Sequence, residues 1–485
     1  MTSHSRLPAW FTIPFLCTLL CWAYLPFSHT PFITFRDIPF SSTDGCLFLL
    51  LFISGSVAIA APRKNERLRA RCGSLATWLF VSFAYAVITM FWSDLDSRNV
   101  LAMGYTLLCG AACFLVPYAA YSVMTDSQVR NFLWFLSVVL ALISFSYFVQ
   151  SFFGLHLKAR TDYDLITFGM ERVSGPLLYP ATLHFQILPA AAFIIGEVLG
   201  RRVRFTVAAP LLGMIFVTLL GSGSRSALIC LTLFLLFLSI SLRGRVKLIA
   251  VSLVLIVCVT TGTVLATKAK ADRLLVSDPM REWTYATSLN IVSNQTMMQR
   301  IFGDGYGHWW PWYVVDVEGG GAQVTGRVIQ STNYGPTLYH PHSLFLISWV
   351  ELGIIGLIPF VALMVFLLRM GFGARSEPRI APLLCSLAAL VPAFGIDTFL
   401  VKSVRQNLVW WCFVLGACLL RSYSPKVRRE MQMVLQRHPA RGLTSSFSSR
   451  RARQTMAPER ATGRSILNRL VWFAGHPHDG QSIPY

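Results

Sequence analysis

The chain alternates long apolar runs with short polar connections over its first 421 residues. A run of roughly 18 residues or more is long enough to cross a bilayer as a helix, and by that criterion the pattern predicts about twelve membrane-spanning helices. We therefore expect an all-α polytopic membrane protein. The predicted spans are 8–28, 44–61, 73–93, 99–123, 131–153, 181–199, 204–220, 226–242, 247–266, 343–368, 380–399 and 406–421.

The same pattern divides the chain into three parts. Residues 1–421 form the predicted transmembrane bundle, and residues 267–342 form a long loop between the ninth and tenth spans. A loop of this length is typical of a functional segment, and its aromatic content favours order. Residues 278–299 of this loop are predicted to form a helix. Residues 422–485 form a basic tail that we expect to be disordered.

Composition agrees with this interpretation and restricts the partners. Hydrophobic residues make up 54% of the chain and charged residues only 13%, which excludes an ordinary soluble protein. The net charge is +20, but the lysines and arginines lie in short clusters between spans and in the tail, as the positive-inside rule predicts. We therefore expect no nucleic-acid partner, cytoplasmic termini and a long loop on the outer side. The 11 cysteines lie almost all in apolar segments and indicate neither disulfides nor a metal cluster.

Ionisable side chains gather at the predicted outer ends of the spans. His340 and His342 precede the tenth span, Arg225 begins the eighth, Arg281 lies in the long loop and Arg172 ends a shorter outer loop. Because ionisable groups are costly at membrane depth, such residues carry a functional hypothesis.

Arg225 follows the small residues Gly221–Ser224 and opens an apolar helix. A helix N-terminus attracts anions, and a guanidinium group can bind phosphate oxygens in a bidentate way. A phosphate or diphosphate site is one interpretation of this residue. An interfacial arginine in contact with lipid headgroups is the other.

The histidines and Glu351 allow different roles. His342 can accept a proton from a hydroxyl group near neutral pH, or it can serve as an interfacial or capping residue, and His340 has the same chemistry. Glu351 follows His342 by nine positions, which places the two on opposite faces of a regular helix. For Glu351 we expect a buried structural role, in which it accepts hydrogen bonds from a neighbouring helix. Gly353 and Gly356 are expected to let another helix approach closely.

Four segments resemble, in order, the motifs of the O-antigen ligase and polymerase superfamily of bacterial envelope polysaccharide assembly. The resemblance covers roughly Arg172 to Phe360. Ser343 stands where that family usually has asparagine, and His340 offers an alternative register for the histidine. The segments are RVSGPLLYPATLHF from Arg172, GSGSRSALI from Gly221, REWTYATSLNIVSNQTMMQRIFGDGYG from Arg281 and HSLFLISWVELGIIG from His342.

The resemblance implies a membrane glycosyltransferase that needs neither metal nor cofactor. Its donor would be a glycan on a polyprenyl diphosphate at the periplasmic face of a bacterial inner membrane, and its acceptor a lipid or glycan hydroxyl. His342 would be the general base, while Arg225 and Arg281, with Arg172 as a weaker candidate, would bind the diphosphate. Polysaccharide assembly or export proteins are further possible partners. Ligation and polymerisation use the same donor chemistry, so the choice between them stays open.

Two other classes of protein remain as alternatives. A secondary transporter or a flippase for lipid-linked glycans also has about twelve spans, but transporters place their sites near the midplane between internal repeats. The sequence shows no such repeat, and its polar residues gather at one predicted surface. A scaffold of the export machinery without catalysis is the second alternative.

Overall fold

The structure is a computed structural model, and the residues it describes all fall within one compact unit, Met1–Ser422. The tail 422–485 and nearly all of the predicted ninth span, 247–266, lie outside the described residues, as do Arg172 and His340. The described residues are 7–24, 31–35, 38–61, 66–93, 97–155, 166–167, 170–171, 173, 182–242, 251–252, 279–310, 322–324, 327–338, 341–376, 379–395, 400 and 407–421.

Helices dominate the described part of the chain. Several begin at recognisable caps: Thr125 accepts a hydrogen bond from the Gln128 backbone N–H, and the Gln128 side chain accepts one in return from Thr125, at 2.9 Å. The helices are α1 (Ala9–Tyr24), α2 (Ser42–Ala60), α3 (Glu66–Thr89), α4 (Ser97–Val123), α5 (Asp126–Phe152), α6 (His184–Leu199), α7 (Phe205–Gly221), α8 (Arg225–Ser241), α9 (Pro279–Asn294), α10 (Met297–Phe302), α11 (Leu344–Phe372), α12 (Ala381–Ala389) and α13 (Asn407–Leu420).

Five of these helices are long and apolar enough to cross a membrane, which defines a multi-pass membrane-type protein. They are α2, α5, α11 and the segments Ala70–Thr89 of α3 and Val100–Val123 of α4. Six further apolar helices lie where spans were predicted but have only 10–17 residues: α1, α6, α7, α8, α13 and the segment Ala381–Gly395. The number of about twelve spans therefore remains a prediction.

Short strands interrupt the expected all-helical pattern in three connections. β1 (Pro31–Phe35) pairs with β2 (Ile38–Ser41), and β3 (Ile166–Thr167) pairs with β4 (Met170–Glu171). The third sheet lies in the long loop and has the order β5 (Ala322–Val324), β6 (Arg327–Thr332) and β7 (Gly335–Leu338), all antiparallel. The same loop contains α9, so the helix predicted there is confirmed, although it ends at Asn294.

Apolar side chains lie both inside the helical unit and on its outer surface. Inside, the rings of Phe15 and Phe132 join α1 to α5 edge to face, at a centroid distance of 5.1 Å. On the outside, Phe52 of α2 and Phe80 of α3 are 72% and 75% exposed. Large exposed apolar side chains on two helices of membrane-spanning length are consistent with a lipid environment.

Arg71 joins α3 to the end of α13. The sequence places this arginine in a basic connection, but the structure places it within α3. Its guanidinium group donates hydrogen bonds to the carbonyl oxygens of Cys418 at 3.1 Å, Leu419 at 2.6 Å and Arg421. The last carbonyls of a helix lack partners within that helix, so Arg71 caps the C-terminus of α13.

Candidate functional site

His342 lies at the boundary between the long loop and α11. Its backbone is in the left-handed region, with φ of +50°, and its side chain is half-buried. Ser343 is the N-cap of α11 and accepts a hydrogen bond from the Leu346 backbone N–H at 3.4 Å. His342 therefore stands outside the helix, so the nine-residue helical spacing that was used to relate it to Glu351 does not apply to it.

The segment that leads to His342 is fixed to the helix that carries Arg281. β7 packs along α9, and the Thr287 hydroxyl donates a hydrogen bond to the Pro336 carbonyl at 2.7 Å. A Cβ atom at Gly335 would lie 2.7 Å from the Thr287 hydroxyl oxygen, so the two backbones approach closely. Arg281 lies in the first turn of α9 and is half-buried. The structure thus brings the segments of His342 and Arg281 into one packed unit.

A second packed unit contains Arg225. This residue begins α8 and is exposed, and Ser224 caps the helix by accepting a hydrogen bond from the Ala227 backbone N–H at 3.3 Å. The Val173 backbone N–H donates to the Gly221 carbonyl at 3.0 Å, which joins the segment immediately after Arg172 to the turn before Arg225. The units of Arg225 and Arg281 share α11, because both α8 and α9 contact that helix.

Glu351 is fully buried, and its hydrogen-bond donors belong to a loop. Its Oε2 atom accepts from the Gly307 backbone N–H at 3.0 Å, and its Oε1 atom accepts from those of Trp309 at 3.2 Å and Trp310 at 3.0 Å. We call residues 303–310, with the sequence GDGYGHWW, the glycine loop. The expected donor was a neighbouring helix, but the donors come from this loop after α10.

The glycine loop fills a break in α11. Gly353 has φ of +65° and ψ of −169°, which interrupts the helix. Carbonyls that precede a break need donors from outside the helical ladder. The Asp304 and Gly305 backbone N–H groups donate to the carbonyls of Val350 at 3.3 Å and Glu351 at 2.9 Å. The protein itself therefore satisfies the backbone at the break.

Two further side chains donate to carbonyls at the break. Gln295, immediately after α9, donates through Nε2 to the Val350 carbonyl at 3.0 Å. The Tyr85 hydroxyl in the last turns of α3 donates to the Leu352 carbonyl at 3.1 Å and to the Phe302 carbonyl at 2.9 Å. Helices α3, α9 and α11 therefore meet at the same point.

Glycines make this junction possible. A Cβ atom at Gly303 would lie 2.1 Å from the Glu351 carbonyl oxygen, and one at Gly353 would lie 2.4 Å from the Ile301 carbonyl oxygen. Gly353 therefore admits the backbone at the end of α10, at Ile301, together with the first residue of the glycine loop. The nearest atom to a Cβ at Gly356 is the Leu352 Cβ atom of its own helix, at 2.0 Å.

Asp304 extends the junction to aromatic residues that the sequence interpretation did not single out. Its Oδ2 atom accepts hydrogen bonds from Gln295 Nε2 at 2.7 Å and from Trp309 Nε1 at 2.6 Å. Trp310 Nε1 donates to the Thr337 hydroxyl on β7 at 3.5 Å. The alternating glycines of GDGYG were a signal of close backbone approach, but sequence could not show that the partner is Glu351.

The break also separates two environments within α11. Before it, Leu344 to Gly353 contains no exposed residue, whereas Ile354, Ile355 and Ile358 are exposed directly after it. The segment 354–372 is about 28 Å long at 1.5 Å per residue, which matches the hydrocarbon thickness of a bilayer. The part of α11 nearest His342 thus has no exposed residue, and the part with exposed apolar side chains begins after Gly353.

Among the residues that the structure describes, no three His, Cys, Asp or Glu side chains form a group that could hold a metal ion. No protein-family model matches the chain, and no curated protein sequence matches it. The fold defines the class of protein, which is a helical multi-pass membrane-type protein.

Proposed function

We propose that this protein is a membrane glycosyltransferase that transfers a glycan from a polyprenyl diphosphate to an acceptor hydroxyl. The observation that carries the proposal is the packing of the segment leading to His342 onto α9, the helix of Arg281. The strand that precedes the proposed base thus packs on the helix of a residue proposed to bind the diphosphate, and positioning of reacting groups is a large part of group-transfer catalysis. The four sequence motifs of the polysaccharide ligase and polymerase superfamily support the same conclusion.

The proposed reaction uses few groups. His342 accepts the proton of the acceptor hydroxyl while its oxygen attacks the anomeric carbon of the donor sugar. The bond from that carbon to the diphosphate oxygen breaks, and the diphosphate leaves with the electron pair. Arg225 and Arg281, with Arg172 as a weaker candidate, stabilise the negative charge on the leaving group. In this scheme neither a divalent metal nor a cofactor takes part.

The setting of the reaction is part of the proposal. The donor is presented at the periplasmic face of a bacterial inner membrane, both termini are cytoplasmic, and polysaccharide assembly or export proteins act alongside. Ligation to a lipid and polymerisation of repeat units are both compatible with these roles.

A transporter is favoured by one observation, the break in α11, because transporters build substrate and ion sites from interrupted helices. At this break, however, the carbonyls of Val350, Glu351 and Leu352 accept hydrogen bonds from protein donors. Carbonyls that already have protein partners are poor ligands for an ion. The break therefore supports a structural junction better than a transport site.

The experiment compares His342→Ala and Arg225→Ala with two matched controls. His308→Ala removes another half-buried histidine of the same loop, and Arg300→Ala removes an exposed arginine of α10. Envelope glycolipids are resolved by gel in a strain that lacks the native gene. We expect the first two variants to lose the glycan pattern and both controls to keep it. An unchanged glycan pattern in His342→Ala and Arg225→Ala would contradict the proposed roles of His342 and Arg225 in catalysis.

The species that accumulates then distinguishes the two reactions. Long carrier-linked chains indicate a ligase, and single repeat units indicate a polymerase. An assay with purified protein in detergent separates transfer from transport, because transfer needs no sealed compartment. A product in detergent supports the enzyme, whereas movement of the donor in proteoliposomes without any product supports the transporter or flippase.

A further inference from the structure

One end of the helical unit carries several arginines around a single ion pair. Arg130 in α5 pairs with Glu197 in the last turn of α6, with Nε and Oε1 3.5 Å apart and side chains only 17% and 9% exposed. Arg202 and Arg379 are both exposed, and each interacts electrostatically with both members of the pair. Three arginines thus act electrostatically on the Glu197 carboxylate, and Arg130 is its ion-pair partner. Asp126 also acts on Arg130, and the three arginines outnumber the two carboxylates, so positive charge is in excess.

Arg379 is held in place by glycines of α6. A Cβ atom at Gly196 would lie 2.3 Å from the Arg379 carbonyl oxygen, and one at Gly200 would lie 3.3 Å from its Cγ atom. A larger residue at Gly196 would displace the backbone before α12, and one at Gly200 would press on the stem of Arg379. The stem of Arg379 therefore rests on the end of α6, which limits the freedom of its charged group and reduces the entropy lost on binding a ligand.

The first turn of α7 lies beside these charges and is apolar. Arg204 precedes the helix and is exposed, and its side chain makes no capping hydrogen bond. The N-terminus of a helix carries partial positive charge. Phe205 and Val207, in the first turn, are 67% and 52% exposed. A basic turn and an exposed apolar surface are therefore continuous along the chain.

We infer that Arg202, Arg204 and Arg379 form a basic cluster beside the Arg130–Glu197 pair. This cluster binds the phosphate headgroup of an anionic phospholipid. The acyl chains lie against Phe205 and Val207. Basic pockets between membrane helices bind such headgroups, and the arginine fork matches phosphate oxygens. The adjoining apolar turn favours a lipid over free phosphate, because free phosphate has no apolar group that could be buried against it.

The location of this lipid site keeps it apart from the proposed glycosyl-transfer site. His342 precedes α11 and Arg379 follows it, so the two lie beyond opposite ends of that helix. Residues 422–485 contain eleven lysines and arginines and only three acidic residues, so the net charge of this segment does not complement the site.

The test measures lipid binding to the purified full-length protein by native mass spectrometry. Phosphatidylglycerol and phosphatidylcholine with identical acyl chains are compared, and inorganic phosphate is the third probe. The variant is Arg202→Gln/Arg379→Gln, and Arg300→Gln is the control because Arg300 is also exposed but lies on α10. Since both substituted side chains of the variant are exposed, we expect it to fold, and Arg202→Gln alone serves as a second variant.

We expect phosphatidylglycerol to bind the wild type and Arg300→Gln more tightly than phosphatidylcholine does. The affinity for phosphatidylglycerol should fall about fivefold in Arg202→Gln, because that is the effect expected of one basic residue near an anionic surface. In the double variant the affinity should fall roughly 20- to 30-fold, because two such residues are lost. Equal binding of phosphatidylglycerol to the wild type and the double variant would overturn the proposal. Stabilisation by inorganic phosphate alone, lost in the double variant, would show a free-anion site and overturn the assignment to a lipid.

Discussion

Glu351 and Trp310 are joined by a hydrogen bond of 3.0 Å, in which the buried carboxylate of the first accepts from the backbone N–H of the second. Trp309 and Gly307 donate to the same carboxylate. One side chain of α11 thus anchors the glycine loop, which in turn closes the break in that helix. The segment leading to His342 and the helix of Arg281 both contact this junction, through Thr337 and Gln295.

We expect Glu351→Ala to lower the free energy of unfolding by about 3 kcal/mol or more. Two buried N–H groups and a partly buried one, that of Trp309, lose their acceptor, and each such loss costs roughly 1–3 kcal/mol. Glu351→Gln keeps one oxygen acceptor and should lose less. Thermal unfolding of both variants in detergent provides the measurement. Equal stability of the wild type and Glu351→Ala would show that the loop is not held by this carboxylate.

Gly353→Ala should destabilise the protein because its backbone conformation is nearly confined to glycine. The strain costs about 1–3 kcal/mol, and the new Cβ atom would also lie 2.4 Å from the Ile301 carbonyl oxygen. Gly213→Ala, in α7, is the matched control because a Cβ there meets nothing within 4 Å. Replacing glycine by alanine within a helix stabilises by about 0.5–1 kcal/mol. Unfolding midpoints that fall equally in both variants would contradict this account of the break.

Ser343→Ala should cost about 1 kcal/mol, because the N-cap of α11 loses the acceptor of the Leu346 N–H. Asparagine caps helices about as well as serine, so Ser343→Asn should be nearly neutral. Unfolding measurements on the two variants check this difference. A large loss of stability in Ser343→Asn would mean that the hydroxyl has a role other than capping.

Arg71→Ala should destabilise the end of α13, since three carbonyl oxygens lose a charged donor. A hydrogen bond to a charged group contributes about 1.5–3 kcal/mol. Arg71→Lys should lie between the alanine variant and the wild type, because an ammonium group lacks the planar fork of guanidinium. Hydrogen exchange of the α13 backbone measures the effect. Unchanged exchange at 417–420 in Arg71→Ala would rule out a capping role.

The amino-acid pattern alone predicts the class of protein and the positions of most helices. Apolar runs of membrane length leave a helix few alternatives, since backbone groups in lipid must bond within their own segment. The spans predicted at 44–61, 99–123 and 343–368 accordingly appear as α2, α4 and α11. The proposed roles of His342, Arg225 and Arg281 also come from sequence, through the family resemblance, and stay predictions.

The contacts of Glu351 and Gly353 became visible only in the packed fold. Local pattern shows that a buried carboxylate needs donors and that a glycine allows close approach, but it cannot name partners more than forty positions away. The donors proved to be Gly307, Trp309 and Trp310, and the approaching backbone proved to be that of Ile301 and Gly303, where α10 passes into the glycine loop. Which donors meet a buried acceptor depends on how the helices pack, and that is a property of the whole fold.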